Sequence, residues 1–251
     1  MSEKNKRIDI HATTSNKKGF SGIFESFLRT FKGIAFALAM APVLPMYLFC
    51  MGVSLAPGVY IVQFVYNLVE NSSAIIQCLA IATSLSLSYF VYGICLIFVV
   101  PFLNWILFLR IKPWRGSWHS LETLPWYYHN ALTQLVRYTF LTLVTPTPLN
   151  LIFYKLMGMR IGKNVVINTT NISDPALITM EDNVTIGGSA TIFAHYAQAG
   201  FLVLAPVIIK KGATIGLKAS IMGDVIVGEK VVVAPHAVLL PKSRPVREPV
   251  S

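Results

Sequence analysis

Charge is what this sequence has least of. Only 13% of its 251 residues are charged, about half the share of an ordinary soluble domain. Across residues 33 to 109, Glu70 is the single charged side chain. Cysteine is nearly as scarce: Cys50, Cys78 and Cys95 lie in apolar stretches and none follows them. That excludes a disulfide framework, a cysteine metal site and, in the second half, a thiol nucleophile. Acidic residues number 11 against 21 basic ones, for a net charge of +10. Nucleic acid is a poor explanation of that excess, because the basic residues flank apolar segments instead of interleaving with aromatics on a polar face. Lys4, Lys6, Arg7, Lys17, Lys18, Arg29 and Lys32 precede the apolar region, and Arg110, Lys112 and Arg115 follow it. Basic residues so placed face anionic lipid on the cytoplasmic side.

What takes the place of charge is hydrocarbon. One apolar segment runs over residues 33–55 and a second over 74–100, each long enough for the ~20 residues a helix needs to cross a bilayer. Pro42 and Pro45 are expected to kink the first, and Pro101 to end the second. The connection, 56–73, carries only Glu70. Charge placement therefore predicts a two-helix membrane hairpin over 33–109, in a bacterial inner membrane, with both flanks cytoplasmic and 56–73 outside. Residues 1–32 read as a basic disordered tail. Residues 110–157 form an aromatic connector, in which Trp114, Trp118, Trp126, Tyr127 and Tyr128 mark a headgroup-level belt. His119 and His129 fall in that belt, and His11 in the tail. Leu132, Leu135, Val136, Phe140 and Leu143 share a helical face, suited to the interface plane or to the next domain.

From Arg160 the texture changes. Ile209, Ile215, Ile221, Val227, Val233 and Leu239 recur at a spacing of six. Four residues after each of the first five stands Ala213, Ala219, Val225, Val231 or Ala237. Ile161 and Ile167 keep the same beat, and Met180, Ile186 and Ile192 resume it after a one-residue slip near SDPAL. Short strands joined by tight turns, each burying its apolar face only against its neighbours in a stack, account for this period.

The pattern over 158–241 resembles the hexapeptide-repeat acyltransferases, which implies an all-β left-handed parallel β-helix of about four coils. The hairpin, the KPW–PWYY segment, the amphipathic connector and this repeat together resemble the membrane-tethered hexapeptide modules of poly-lysine synthetase-like peptide synthetases. The resemblance implies a homotrimer with sites between subunits and an acyl-CoA or acyl-carrier thioester as co-substrate, with no tightly bound cofactor. It also implies membrane lipid and a carrier-protein or peptide-synthetase as partners. A non-catalytic β-helical scaffold that recruits partners to the membrane is the alternative.

The repeat breaks once. Between Ile192 and Ile209 the insert FAHYAQAGFLVLAPV cannot keep the period and is expected to leave the prism as a loop. In the family such a loop carries the catalytic histidine, and only His195 matches. Imidazole suits the task, since its pKa lies near the operating pH and it can take a proton from an attacking amine or hydroxyl. Asp182 or Glu181 is the candidate to orient it. Lys218, and Lys242 or Arg244, are candidates for the phosphate end of the thioester carrier, and Gly216 is a further substrate-binding candidate. His236 reads as a solvated coil histidine. A three-histidine zinc site lacks ligands, so no metal is expected. The tail 242–251 gives no further sign.

Overall fold

A computed structural model describes residues 13–15, 18–118 and 120–246. His11 and His119 lie outside them. The expected tail is not wholly irregular: Phe20–Thr30 forms helix α1, with Leu28 buried and Phe20, Ile23 and Phe27 exposed. Lys32–Met40 forms α2. The chain breaks at Ala41–Pro42, where a missing N–H ends the ladder, and resumes as α3, Val43–Val69. Helix α4 spans Ala74–Ile106 and keeps Pro101 inside it instead of stopping there. The connection between the long helices is thus residues 70–73, far shorter than the expected 56–73, because α3 carries Pro57 within an unbroken run.

By length and composition, Phe36–Val69 and Ala74–Ile106 can each cross a membrane. They pack closely where side chains are small. A Cβ on Gly58 would stand 3.0 Å from that of Ser88, whose hydroxyl donates to the Gly58 carbonyl at 2.8 Å. Small residues permit this close approach.

The connector carries strand β1 (Trp114–Ser117), helix α5 (Leu124–Val136), a π-helical turn (Arg137–Leu141) and α6 (Pro148–Leu156). Helix α5 does not lie flat with a free face. Trp126, His129, Leu132, Thr133, Leu135 and Val136 are all buried, because one face meets α4 and another the β-stack. At the π turn, the Phe140 ring fills the space a side chain on Gly93 of α4 would need.

The second half folds as three four-stranded parallel sheets. The first coil contributes β2 (Arg160–Ile161), β3 (Val166–Ile167) and β4 (Ile172–Ser173). The second contributes β5 (Ile178–Met180), β6 (Thr185–Ile186) and β7 (Thr191–Phe193). Strands β8 (His195–Gln198) and β9 (Phe201–Leu204) interrupt them. The third coil is β10 (Val207–Ile209), β11 (Thr214–Ile215) and β12 (Ser220–Ile221). The fourth is β13 (Val225–Val227), β14 (Val232–Val233) and β15 (Val238–Leu239).

The hexad residues stack in columns. Ile161 pairs with Met180, Met180 with Ile209 and Ile209 with Val227. Ile167, Ile186, Ile215 and Val233 form the second column, and Ile172, Ile192, Ile221 and Leu239 the third. Most are fully buried, so each coil supplies the wall its neighbour lacks. Residues 243–245 begin a further turn over β13, since Ile226 and Gly228 donate to the Ser243 and Pro245 carbonyls.

Candidate active site

The site grows from a defect in the repeat. β4 sits one residue early, and Asp174 follows it in the left-handed region, φ 59° and ψ 49°, before the 3-10 turn Pro175–Leu177. Aspartate tolerates this conformation better than most residues. Ser173 pairs with Phe193 of the coil above, which sets Asp174 beside Ala194 and His195. From the third coil, Gly223 closes in so tightly that a Cβ would lie 3.0 Å from the Ala194 carbonyl carbon and 3.1 Å from the His195 nitrogen. Three successive coils therefore meet at one corner.

Asp174 is completely buried and accepts four hydrogen bonds. Its Oδ1 takes the Trp126 indole N–H at 2.6 Å and the Asn130 amide at 2.8 Å. Its Oδ2 takes the Ala194 backbone N–H at 3.1 Å and lies 2.6 Å from Nδ1 of His195. Burial pushes the carboxyl upward, but the bond and charge of His195, with the donors Asn130 and Trp126, outweigh it and hold Asp174 below the ordinary aspartate value. The carboxylate is the charged form that such donors favour. His195 keeps 26% of its side chain exposed, with the Trp126 ring edge-on at 5.1 Å and Phe193 at 5.6 Å.

The insert is not the expected loop. β8 and β9 form a hairpin closed by Ala199 and Gly200, both at positive φ, the geometry two-residue hairpins favour. β1 of the connector pairs with β9 to make a three-stranded antiparallel sheet. Arg115 stacks over the Phe201 ring at 3.6 Å. His195 opens this hairpin, held from both ends.

The expected orienting carboxylates do not reach His195. Asp182 accepts from the Lys163 N–H and Glu181 from the Lys211 N–H; both brace neighbouring coils. Asp174 was hidden because it falls in the slip, where the hexad count fails. The anion candidates separate. Lys242 and Arg244 sit above Asp224 at the corner that carries His195, but Arg244 is engaged with the Asp224 carboxylate at 2.5 Å. Lys218 stands exposed at another corner, with the His236 N–H bonded to the Leu217 carbonyl above it. His236 is exposed, as expected. Gly216 serves stacking: a Cβ there would lie 2.5 Å from the Pro235 nitrogen. Among the described residues no cluster of three metal-ligating groups occurs.

His129 also departs from expectation. It is buried, with Nδ1 2.9 Å from Oδ1 of Asn104 on α4. Burial pushes it down to about 4, against small upward contributions from Asp174 and the Leu109 backbone. It is a neutral pin between α4 and α5.

No family model matches the chain. Over 136 residues it is 29% identical to the delta-poly-L-ornithine synthetase of Acinetobacter baumannii (strain AB307-0294), an alignment that takes in 54% of this chain and 10% of that protein. The chain thus spans about a tenth of that relative's length. Among solved structures it is similar to the serine acetyltransferase of Neisseria gonorrhoeae, at 13% identity and a TM-score of 0.31, covering 98% of this chain and 89% of that one. Serine acetyltransferase 1 of Entamoeba histolytica, in complex with L-cysteine, shares 11% identity at a TM-score of 0.20, over 72% and 75% of the two chains. The sequence likeness is to a short part of a poly-amino-acid synthetase, and the structural neighbours are serine acetyltransferases.

Proposed function

We propose that this protein is a membrane-anchored acyltransferase of the hexapeptide-repeat, left-handed β-helix type, with His195 as general base. The observation that carries the reading is the His195–Asp174 pair. An acceptor-only carboxylate at Nδ1 keeps that nitrogen protonated and leaves the Nε2 lone pair free. Nε2 then takes the proton of an acceptor amine or hydroxyl as that group attacks a thioester carbonyl. The buried Asp174 steadies the imidazolium so formed, and the proton passes on to the departing thiolate. No enzyme-bound acyl group is needed, consistent with the lack of cysteine beyond residue 95. The thioester is acyl-CoA or an acyl-carrier protein, and the group moved is acyl or aminoacyl. The sequence likeness to a poly-ornithine synthetase supports an aminoacyl or peptidyl acceptor and a peptide-synthetase partner.

The aromatic row supports an amphiphilic acceptor. Phe36 meets Tyr127 at 5.6 Å, Tyr127 meets Trp126 at 4.8 Å, and Trp126 meets His195 at 5.1 Å. Phe36 opens the first candidate span, and Tyr128 donates to the Ala39 carbonyl at 2.6 Å. The two candidate spans support a hairpin in a bacterial inner membrane with both flanks cytoplasmic, and on that reading the row runs from the first span toward His195 near headgroup level. Lys218 and His195 occupy different corners, a layout suited to sites shared between copies of a homotrimer.

Thiol release from acetyl-CoA and aminoacyl thioesters, followed with protein in nanodiscs, tests the reading. His195→Ala should lower turnover ~10²- to 10⁴-fold. Undiminished turnover in that variant would place the base elsewhere. Absence of any thioester consumption by the wild type would favour the scaffold alternative.

A further inference from the structure

We propose that Trp126 and Asn130 are positioning residues, a clamp on helix α5 that fixes Asp174 and, through it, the tautomer of His195. The inference rests on the reading of His195 as a base and adds to it a dependence on the connector helix. Trp126 and Asn130 stand four residues apart, which puts them on one face of a helix. Both donate to the same oxygen, Oδ1, at 2.6 and 2.8 Å. Asn130 also closes a reciprocal contact, its Oδ1 accepting from the Asp174 N–H at 3.4 Å. The bonds reach across 48 and 44 residues of sequence, so neither donor is supplied by the coil that holds the aspartate.

The division of labour between the oxygens is what gives the clamp its effect. With Oδ1 held by α5, the carboxylate cannot rotate, and Oδ2 stays directed at Ala194 and His195. Without the α5 donors, Oδ1 would be a buried, unpaired anionic oxygen, and the group would turn to share its other contacts. The rotation of α5 about its own axis is fixed in turn by three contacts, one each with α4, α3 and α2. His129 bonds Asn104 of α4, the Tyr47 hydroxyl of α3 donates to the Ala131 carbonyl at 2.7 Å, and Tyr128 donates to Ala39 of α2. The titratable groups facing Asp174 are His195 from β8 and, along α5, His129, which burial keeps neutral.

The test uses the full chain in nanodiscs, with ¹⁵N-labelled imidazole. Trp126→Phe keeps an aromatic ring against His195 while removing the donor, and Asn130→Leu keeps the volume while removing the other. The wild type should show His195 as a single Nδ1–H tautomer. Each variant should show a mixture of tautomers, a kcat reduced by up to ~10²-fold, the cost of a slightly misplaced catalytic group, and an unchanged KM for the thioester. Retention of the pure Nδ1–H signature with kcat within a few-fold of wild type, in a variant that still melts cooperatively, would overturn the clamp. The tautomer needs no substrate to be read. A wild type that turns over no thioester, yet whose tautomer mixes in both variants, would sustain the clamp while removing the acyltransfer reading. Should Asn130→Leu fail to fold, Asn130→Ala, which also lacks a side-chain donor, carries the same measurement.

Discussion

Replacing Asp174 by asparagine removes one charge and almost no volume, so its effect is decided by counting hydrogen bonds. The aspartate accepts two on each oxygen; an asparagine offers one acceptor oxygen and must turn its NH₂ toward two donors. Facing α5, the NH₂ would meet the indole of Trp126, which can only donate. Facing the coil, it meets the Ala194 N–H and His195, and imidazole can adapt by giving up its Nδ1 proton and carrying one on Nε2. That second arrangement strands a single backbone donor, at about 1–3 kcal/mol, and is therefore preferred. The fold survives, but Nε2 now holds a proton and cannot accept another. Turnover should fall by as much as ~10⁴, the scale of a wrong-tautomer defect, while the melting temperature drops only moderately. Thiol release, imidazole ¹⁵N spectra and thermal melts on one nanodisc preparation would report all three quantities. Near-normal turnover, or an Nδ1–H imidazole in Asp174→Asn, would refute the reasoning.

His129 makes stability pH-dependent. Its folded value near 4 lies below the ordinary 6.5, so the unfolded chain gains a proton first as pH falls. Stability is full above 6.5 and declines by about 3 kcal/mol in total on the way to pH 4; His129→Gln should flatten that slope, and an unchanged slope would show that another group causes it. Asp174 acts lower on the scale. Its depressed carboxyl contributes stability above the usual 3.8 that is lost as pH falls through its folded value, a loss that Asp174→Asn should not show. At Gly216 the substitution to Ala sets a Cβ against the Pro235 nitrogen and should cost about 1–3 kcal/mol without altering KM for the thioester; a raised KM at unchanged melting temperature would restore a binding role. Cysteines placed at Ser72 and Ser243 in a cysteine-free background should label from opposite faces of the membrane, and labelling from one face would end the hairpin.

The coils were legible because their period is enforced by packing. An inward residue at every sixth position leaves a trace that one sequence suffices to show, and Ile161 through Leu239 stack as that trace requires. His195 was legible as the histidine in the interruption. Asp174 was not, since it lies where the period slips and its partners, Trp126 and Asn130, come from a helix 44 to 48 residues earlier. A local signal for the hairpin did exist. HYAQ and FLVL flank Ala-Gly, and a two-residue Gly-containing link between β-prone runs is a hairpin signature. The β1 partner, WRGS, has too little alternation to announce a strand. Composition likewise marked the connector's aromatics as a belt; that His129 and Trp126 turn inward depends on α4 and the coils being there to receive them.

The three-stranded sheet joins Trp114–Ser117, just past α4, to a hairpin that opens more than 75 residues later. If His195 acts as proposed, the stacked coils and the base are separable properties of this chain. A fragment holding only the repeat retains every column of stacked isoleucines and valines, yet it loses the strand that braces the hairpin and both α5 donors that hold Asp174. Such a fragment would keep its ladders and lose the geometry of its His195–Asp174 pair. On the proposed reading, the smallest working unit begins upstream of β1, so the connector strand and α5 are structural parts of the base, and separating the repeat from them dismantles it.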